Sequence, residues 1–143
     1  MLARLPGLMN ASIELHGSLG AGKTSFVRYL LRALGVQGRV KSPSYAVMES
    51  YTLPQGEASH FDFYRFNDPR EWEDAGFREV FTRPGLKLSE WPEKAAGMLP
   101  APTLRMSIVA QADDSRDITL DACTPEGQVL LHALDTALKD AAP

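Results

Sequence analysis

The chain has 143 residues, 44% of them hydrophobic and 23% charged, the proportions of an ordinary globular protein, so one domain spanning residues 1–143 is expected. Its formal net charge of −3 argues against a protein that grips a nucleic-acid duplex by itself, though not against a local basic patch. The one cysteine, Cys123, excludes an intrachain disulfide and argues against a thiolate zinc site, and no apolar run approaches the roughly 18 residues of a membrane span, so a reducing cytoplasm is the simplest compartment.

The opening residues, Met1 to Met9, are too short and too broken by Pro6 and Gly7 for a signal peptide. Ser12-Ile-Glu-Leu-His16 alternates apolar and polar residues like a short strand. Gly17-Ser-Leu-Gly-Ala-Gly-Lys-Thr24 then fits the phosphate-loop pattern G-x-x-x-x-G-K-[ST] at every fixed position. Behind it, Ser25 to Leu34 carries apolar residues at helical spacing, and Gly35 is a natural stop.

Strand, glycine loop and helix are the context this motif needs. The glycines let the backbone amides of Gly17, Ser18, Leu19, Gly20, Ala21 and Gly22 approach a polyphosphate, and the helix beginning near Ser25 points its positive end at the same place. Lys23 is expected to reach the β- and γ-phosphates, and the Thr24 hydroxyl to ligate Mg²⁺. The expected ligands are therefore ATP or ADP with Mg²⁺. The expected fold is the α/β three-layer fold of phosphate-loop NTPases, a mostly parallel central sheet with antiparallel flanking strands.

Lys41-Ser-Pro-Ser44 follows without apolar periodicity; it reads either as a plain connector or as a loop that closes on nucleotide and metal through Lys41, Ser42 and Ser44. Tyr45–Leu53 and Ala58–Arg65 read as two strands of a hairpin around Pro54-Gln-Gly56. Asp62 stands between Phe61 and Phe63, where a carboxylate needs a partner or solvent; its functional reading is the acidic group that orients Mg²⁺ and its waters. His60 lies two residues earlier on the same face and reads as structural.

Asp68-Pro-Arg-Glu71 has the form of a helix start with a capping box, and Phe77–Phe81 reads as a second short amphipathic piece. Leu86-Lys-Leu-Ser-Glu-Trp-Pro92 reads as a buried strand that places Glu90 at its carboxyl end, where ligands bind in open α/β sheets, with Trp91 beside it and Pro92 preventing continuation. Glu90 is either a surface glutamate or the group that serves the metal or the attacking water, and Trp91 is either a core tryptophan or a ring that packs beside the nucleotide. Thr103–Ala110 and Arg116–Ala122 alternate as an antiparallel edge pair, Pro125–Leu138 is a closing helix, and Ala141–Pro143 is a frayed end.

Five stretches together resemble one family: Gly17 to Thr24, Val40-Lys-Ser-Pro-Ser-Tyr45, His60-Phe-Asp-Phe-Tyr-Arg65, Asp68-Pro-Arg-Glu71 and Ser89-Glu-Trp-Pro92 occur in the order and approximate spacing of the TsaE (YjeE) proteins. The likeness runs from about Ile13 to Leu131, and the second and third stretches are its most specific part. The resemblance implies a small ATPase needed for threonylcarbamoyladenosine (t6A) modification of tRNA at position 37. It implies action with TsaB and TsaD, with tRNA reached through that complex and no membrane involved.

Carried over by position, Lys23 binds phosphate, Thr24 and Glu90 hold Mg²⁺, and Asp62 is an acidic catalytic residue. Lys41, Ser42 and Ser44 belong to a mobile switch, and Glu93 and Arg116 fall near nucleotide. Two departures stand out. Ser18 occupies a position usually held by Asp, and the N-terminal segment is shorter than in the family, which bears on base contacts. Alternative readings are a small-molecule kinase with the same loop and a nucleotide-gated binding module without useful hydrolysis. An Asn-Lys-x-Asp guanine signature is missing, and no arginine finger is evident, so hydrolysis by the isolated chain is expected to be slow.

Overall fold

Alternation decides where the strands run. In the computed structural model, which describes residues 2–43 and 46–141 apart from the side chains of Pro69 and Asp74, Ser12–His16 forms β1 with Ile13 and Leu15 fully buried. The other strands are β2 (Met48–Leu53), β3 (Gly56–Asp62), β4 (Leu86–Glu90), β5 (Leu104–Ala110) and β6 (Arg116–Ala122). They form one sheet in the order β2-β3-β4-β1-β5-β6. The β3–β4, β4–β1 and β1–β5 pairings are parallel, and the outer strands β2 and β6 pair antiparallel, as expected from the sequence.

Register sorts the side chains between two faces, because the strand period is two. His60, Leu88, Ile13 and Leu104 are successive partners across the sheet and share one face. Helix α1 (Lys23–Ala33) packs Val27, Leu30 and Leu31 into the same cluster, and the last helix, α4 (Pro125–Ala141), adds Leu130. Phe61 and Phe63 point the other way. They pack with Phe66, Trp72, Phe77 and Val80, contributed in part by α2 (Pro69–Asp74) and α3 (Phe77–Thr82). The Phe61 ring stacks on Phe63 at 5.5 Å and Phe81 at 4.8 Å and meets Phe77 edge-on at 5.5 Å. Each such ring contact adds about 0.5–1.5 kcal/mol to the burial itself. Helices, sheet and helices make the three layers.

Several boundaries differ from the sequence reading. α1 begins at Lys23, not Ser25, because the motif's Lys and Thr form its first turn. β2 begins at Met48 because Val47 takes a left-handed φ of 68°, which interrupts an extended run; Tyr45 lies outside the described residues. β3 ends at Asp62, and the chain turns there rather than continuing to Arg65. Asp68 caps α2 through the Arg70 amide at 2.9 Å, but Glu71 reaches the Asn67 amide at 3.4 Å instead of closing a box on Asp68. α4 runs on to Ala141, so that residue is helical rather than frayed. Cys123 is exposed. Among the described residues no helix is long and apolar enough to cross a membrane.

Candidate functional site

β1 ends at the carboxyl edge of the three parallel pairings, and the glycine loop leaves from there. A Cβ on Gly17 would lie 2.7 Å from the Ile108 carbonyl oxygen of β5, so the chain turns out between strands only because no side chain is present. Gly22, at φ 112°, caps α1 in a conformation that L side chains rarely adopt. Arg116, at the start of β6, braces the loop from the side. Its Nε donates to the Ala21 carbonyl at 2.9 Å, and its Nη1 donates to the carbonyls of Asp114 (2.8 Å) and Ser115 (3.2 Å).

Lys23 is 5% exposed and folds back so that Nζ donates to the Gly17 carbonyl at 2.5 Å. The ammonium lies 3.5 Å from the centre of the Trp91 ring, a cation–π contact. Burial pushes its pKa below the ordinary lysine value, and the carboxylates of Glu90, Glu93 and Asp62 oppose that push. The charge is thus held in a partly dehydrated place with few fixed ties. A polyanion set beside it would take the place of the Gly17 carbonyl as hydrogen-bond acceptor.

The acidic residues come from adjacent strand ends. Asp62 and Glu90 are register partners on β3 and β4. Glu90 is 2% exposed and both oxygens are engaged: Thr24 Oγ1 donates to Oε1 at 2.8 Å, and His60 Nε2 meets Oε2 at 2.6 Å. An ionised carboxylate can only accept, so with Glu90 ionised His60 Nε2 is the donor; among the described residues the buried Nδ1 has no hydrogen-bond partner. Asp62 is more open, and its Oδ1 accepts from the Tyr64 amide at 3.0 Å.

These groups border a cleft of about 340 Å³. Of the residues singled out from sequence, Leu19, Gly20, Gly22, Lys23, Thr24, Ser25, Ser42, Asp62, Glu90 and Trp91 line it. Gly17, Ser18 and Ala21 lie in the same loop behind the lining. Lys41 borders a neighbouring groove instead, and Glu93 stands 3.8 Å from His16 Nδ1. The Arg116 side chain touches the main chain of the loop at Ala21. Ser44 lies outside the described residues.

Two contributors were not assigned from sequence. Tyr64 lines the cleft with its ring 5.0 Å from that of Trp91, and His60 supports Glu90 from below. The signal for His60 was its placement two residues before Asp62 on a shared face; its partner on β4 could not be read without the pairing.

Among the oxygen donors lining the cleft that a divalent cation could use are the Thr24 hydroxyl and the Glu90 and Asp62 carboxylates. Thr24 gives its proton to Glu90, which leaves hydroxyl lone pairs for an ion. Among the described residues no three His, Cys, Asp or Glu side chains are grouped to hold a metal. Mg²⁺ on a nucleotide needs no such cage, since it takes one or two protein oxygens and completes its shell with phosphate and water. A helix N-terminus, a glycine loop, a buried ammonium and two carboxylates therefore suit a polyphosphate with its metal.

The family model described as "Threonylcarbamoyl adenosine biosynthesis protein TsaE" matches residues 2–118. A Haemophilus influenzae protein named tRNA threonylcarbamoyladenosine biosynthesis protein TsaE is 41% identical over 121 residues, covering 85% of this chain and 76% of its own length. The Bacillus subtilis protein of the same name is 34% identical over 122 residues, again covering 85% and 76%. The crystal structure of Bacillus subtilis YdiB superposes with a TM-score of 0.76 at 28% identity, covering 95% of this chain and 82% of that one.

Proposed function

Because the chain belongs to the TsaE family, we propose that it is the ATP-binding and ATP-hydrolysing subunit of t6A synthesis on tRNA, acting with TsaB and TsaD. The hydrogen-bonded chain from Thr24 through Glu90 to His60, set beside the phosphate loop, carries this reading. A phosphate loop alone serves many reactions. A hydroxyl and a buried carboxylate oriented together at its helix start suit the triphosphate's cation.

On this reading the loop amides and Lys23 hold the phosphates, with Lys23 Nζ exchanging the Gly17 carbonyl for phosphate oxygen. Thr24 and Glu90 hold Mg²⁺, which neutralises phosphate charge when bound. His60 holds Glu90 in orientation through its hydrogen bond at Nε2. Asp62, on the neighbouring strand end, positions the attacking water and takes up its proton as ATP and water become ADP and phosphate. Trp91 and Tyr64 form an aromatic wall. None of the described residues lining the cleft is an arginine, so the transition-state charge is met by a partner group and the isolated chain turns over slowly.

The test is retention of TsaB and TsaD by the immobilised chain with and without ATP·Mg²⁺, together with calorimetry. Nucleotide-dependent retention and loss of ATP binding in Lys23→Ala are expected. Unchanged ATP affinity in Lys23→Ala would overturn the assignment. Release of γ-phosphate to water rather than to a metabolite separates this reading from a kinase. Asp62→Ala, with nucleotide binding intact, should fail to support t6A formation; continued support would reduce the chain to a nucleotide-gated module.

A further inference from the structure

The outer side of α1 is strongly basic. Arg28, Arg32, Arg39 and Lys41 border a groove of about 830 Å³ together with Tyr29 and Ser42, and no carboxylate is among its described lining residues. Arg28 and Arg32 stand one helical turn apart, a spacing at which like charges repel, and α1 contains no acidic residue to offset them. Some surface cations elsewhere are paired, Arg78 with Glu73, Arg105 with Glu14 and Lys139 with Asp135. The four groove cations form no ion pair among the described residues, in a chain whose net charge is negative. Tyr29 is 73% exposed among them.

We infer that this groove binds the sugar–phosphate backbone of RNA directly, the cations taking successive phosphates and Tyr29 stacking on an unpaired base. An acidic protein surface could also take the cations and bury the ring; RNA, which the t6A reading supplies, matches both at once, its phosphates meeting the cations and an unpaired base stacking on the ring. The choice of RNA over DNA rests on the t6A reading; the phosphate chemistry does not. The groove adjoins the nucleotide cleft, since Ser42 lines both.

The experiment titrates the full chain against fluorescently labelled unfractionated tRNA, with polyglutamate as the acidic-peptide arm, across salt concentrations. With about four phosphate contacts, tRNA affinity should fall roughly 50- to 150-fold between 50 and 200 mM salt. Arg28→Glu with Arg32→Glu should lower tRNA affinity at least tenfold and flatten the log–log salt slope by about two. Tyr29→Ala should weaken tRNA binding about 5- to 100-fold and leave polyglutamate untouched.

Absence of tRNA binding at 50 mM salt would overturn the inference, as would full retention by the double variant. Equal binding of polyglutamate with a silent Tyr29→Ala would assign the groove to an acidic protein instead. Calorimetry with ATP on the same samples keeps the two readings apart: the double variant should bind ATP as the parent does. Failure of ATP binding in the parent would remove the proposed function and leave the RNA result standing.

Discussion

Glu90 is a carboxylate taken almost wholly out of water, a state that costs several kcal/mol unless its oxygens are satisfied. Thr24 and His60 satisfy one oxygen each. His60→Leu leaves Oε2 without a donor, and the Mg²⁺ dependence of ATP turnover should then weaken about 10- to 100-fold, the usual cost of removing a group that orients a metal ligand. His60→Gln, which can donate, should recover part of that loss, as read from Mg²⁺ titrations of phosphate release. Glu90→Gln keeps an acceptor for Thr24 but removes the charge. ATP affinity in EDTA should be unchanged while the gain on adding Mg²⁺ disappears. Trp91 offers a direct optical readout because its ring covers the Lys23 ammonium. In a Trp72→Phe background, ATP should shift its emission as the ammonium moves to phosphate, and Lys23→Ala should abolish the shift.

Gly17 joins β1 to the loop where a side chain would strike the backbone of β5. Gly17→Ala should therefore cost about 1–3 kcal/mol through forced backbone displacement, seen as a lower urea midpoint at constant slope. This contact belongs to the packing of elements and was invisible in the motif, which explains the glycine only by its closeness to phosphate. The parallel strands were legible because their alternation or continuous apolar runs are simple; Glu90 stood out because strand ends carry ligands in such sheets, and Asp62 because a carboxylate between Phe61 and Phe63 needs a partner or solvent. What could not be read was partnership. Nothing near His60 in sequence names Glu90; the two meet because β3 and β4 pair in the register His60–Leu88 and Asp62–Glu90. Arg116 is placed near nucleotide by resemblance, and β6 sets it against the phosphate loop, its Nε donating to the Ala21 carbonyl, a contact no sequence pattern names. The late start of β2 escaped because the left-handed turn at Val47 has no compositional mark.

For the molecule as a whole, a ligand that binds only the folded chain adds stability by mass action. ATP·Mg²⁺ at about a hundred times its dissociation constant should contribute about 2.7 kcal/mol, raising the midpoint of thermal unfolding by about 5–10 °C. Lys23→Ala should show no such rise in a calorimetric scan. The sheet order also governs when the site can exist. β1 holds the middle of the sheet, but both of its neighbours, β4 and β5, are encoded far downstream. As the polypeptide leaves the ribosome, the glycine loop emerges early and waits. It has no wall against which to set until Leu86–Glu90 arrives, and no Ile108 behind Gly17 until β5 follows. Closing such distant pairings is slow, so a nascent chain halted before Leu104 carries every residue of the nucleotide motif and should remain sensitive to protease and indifferent to ATP.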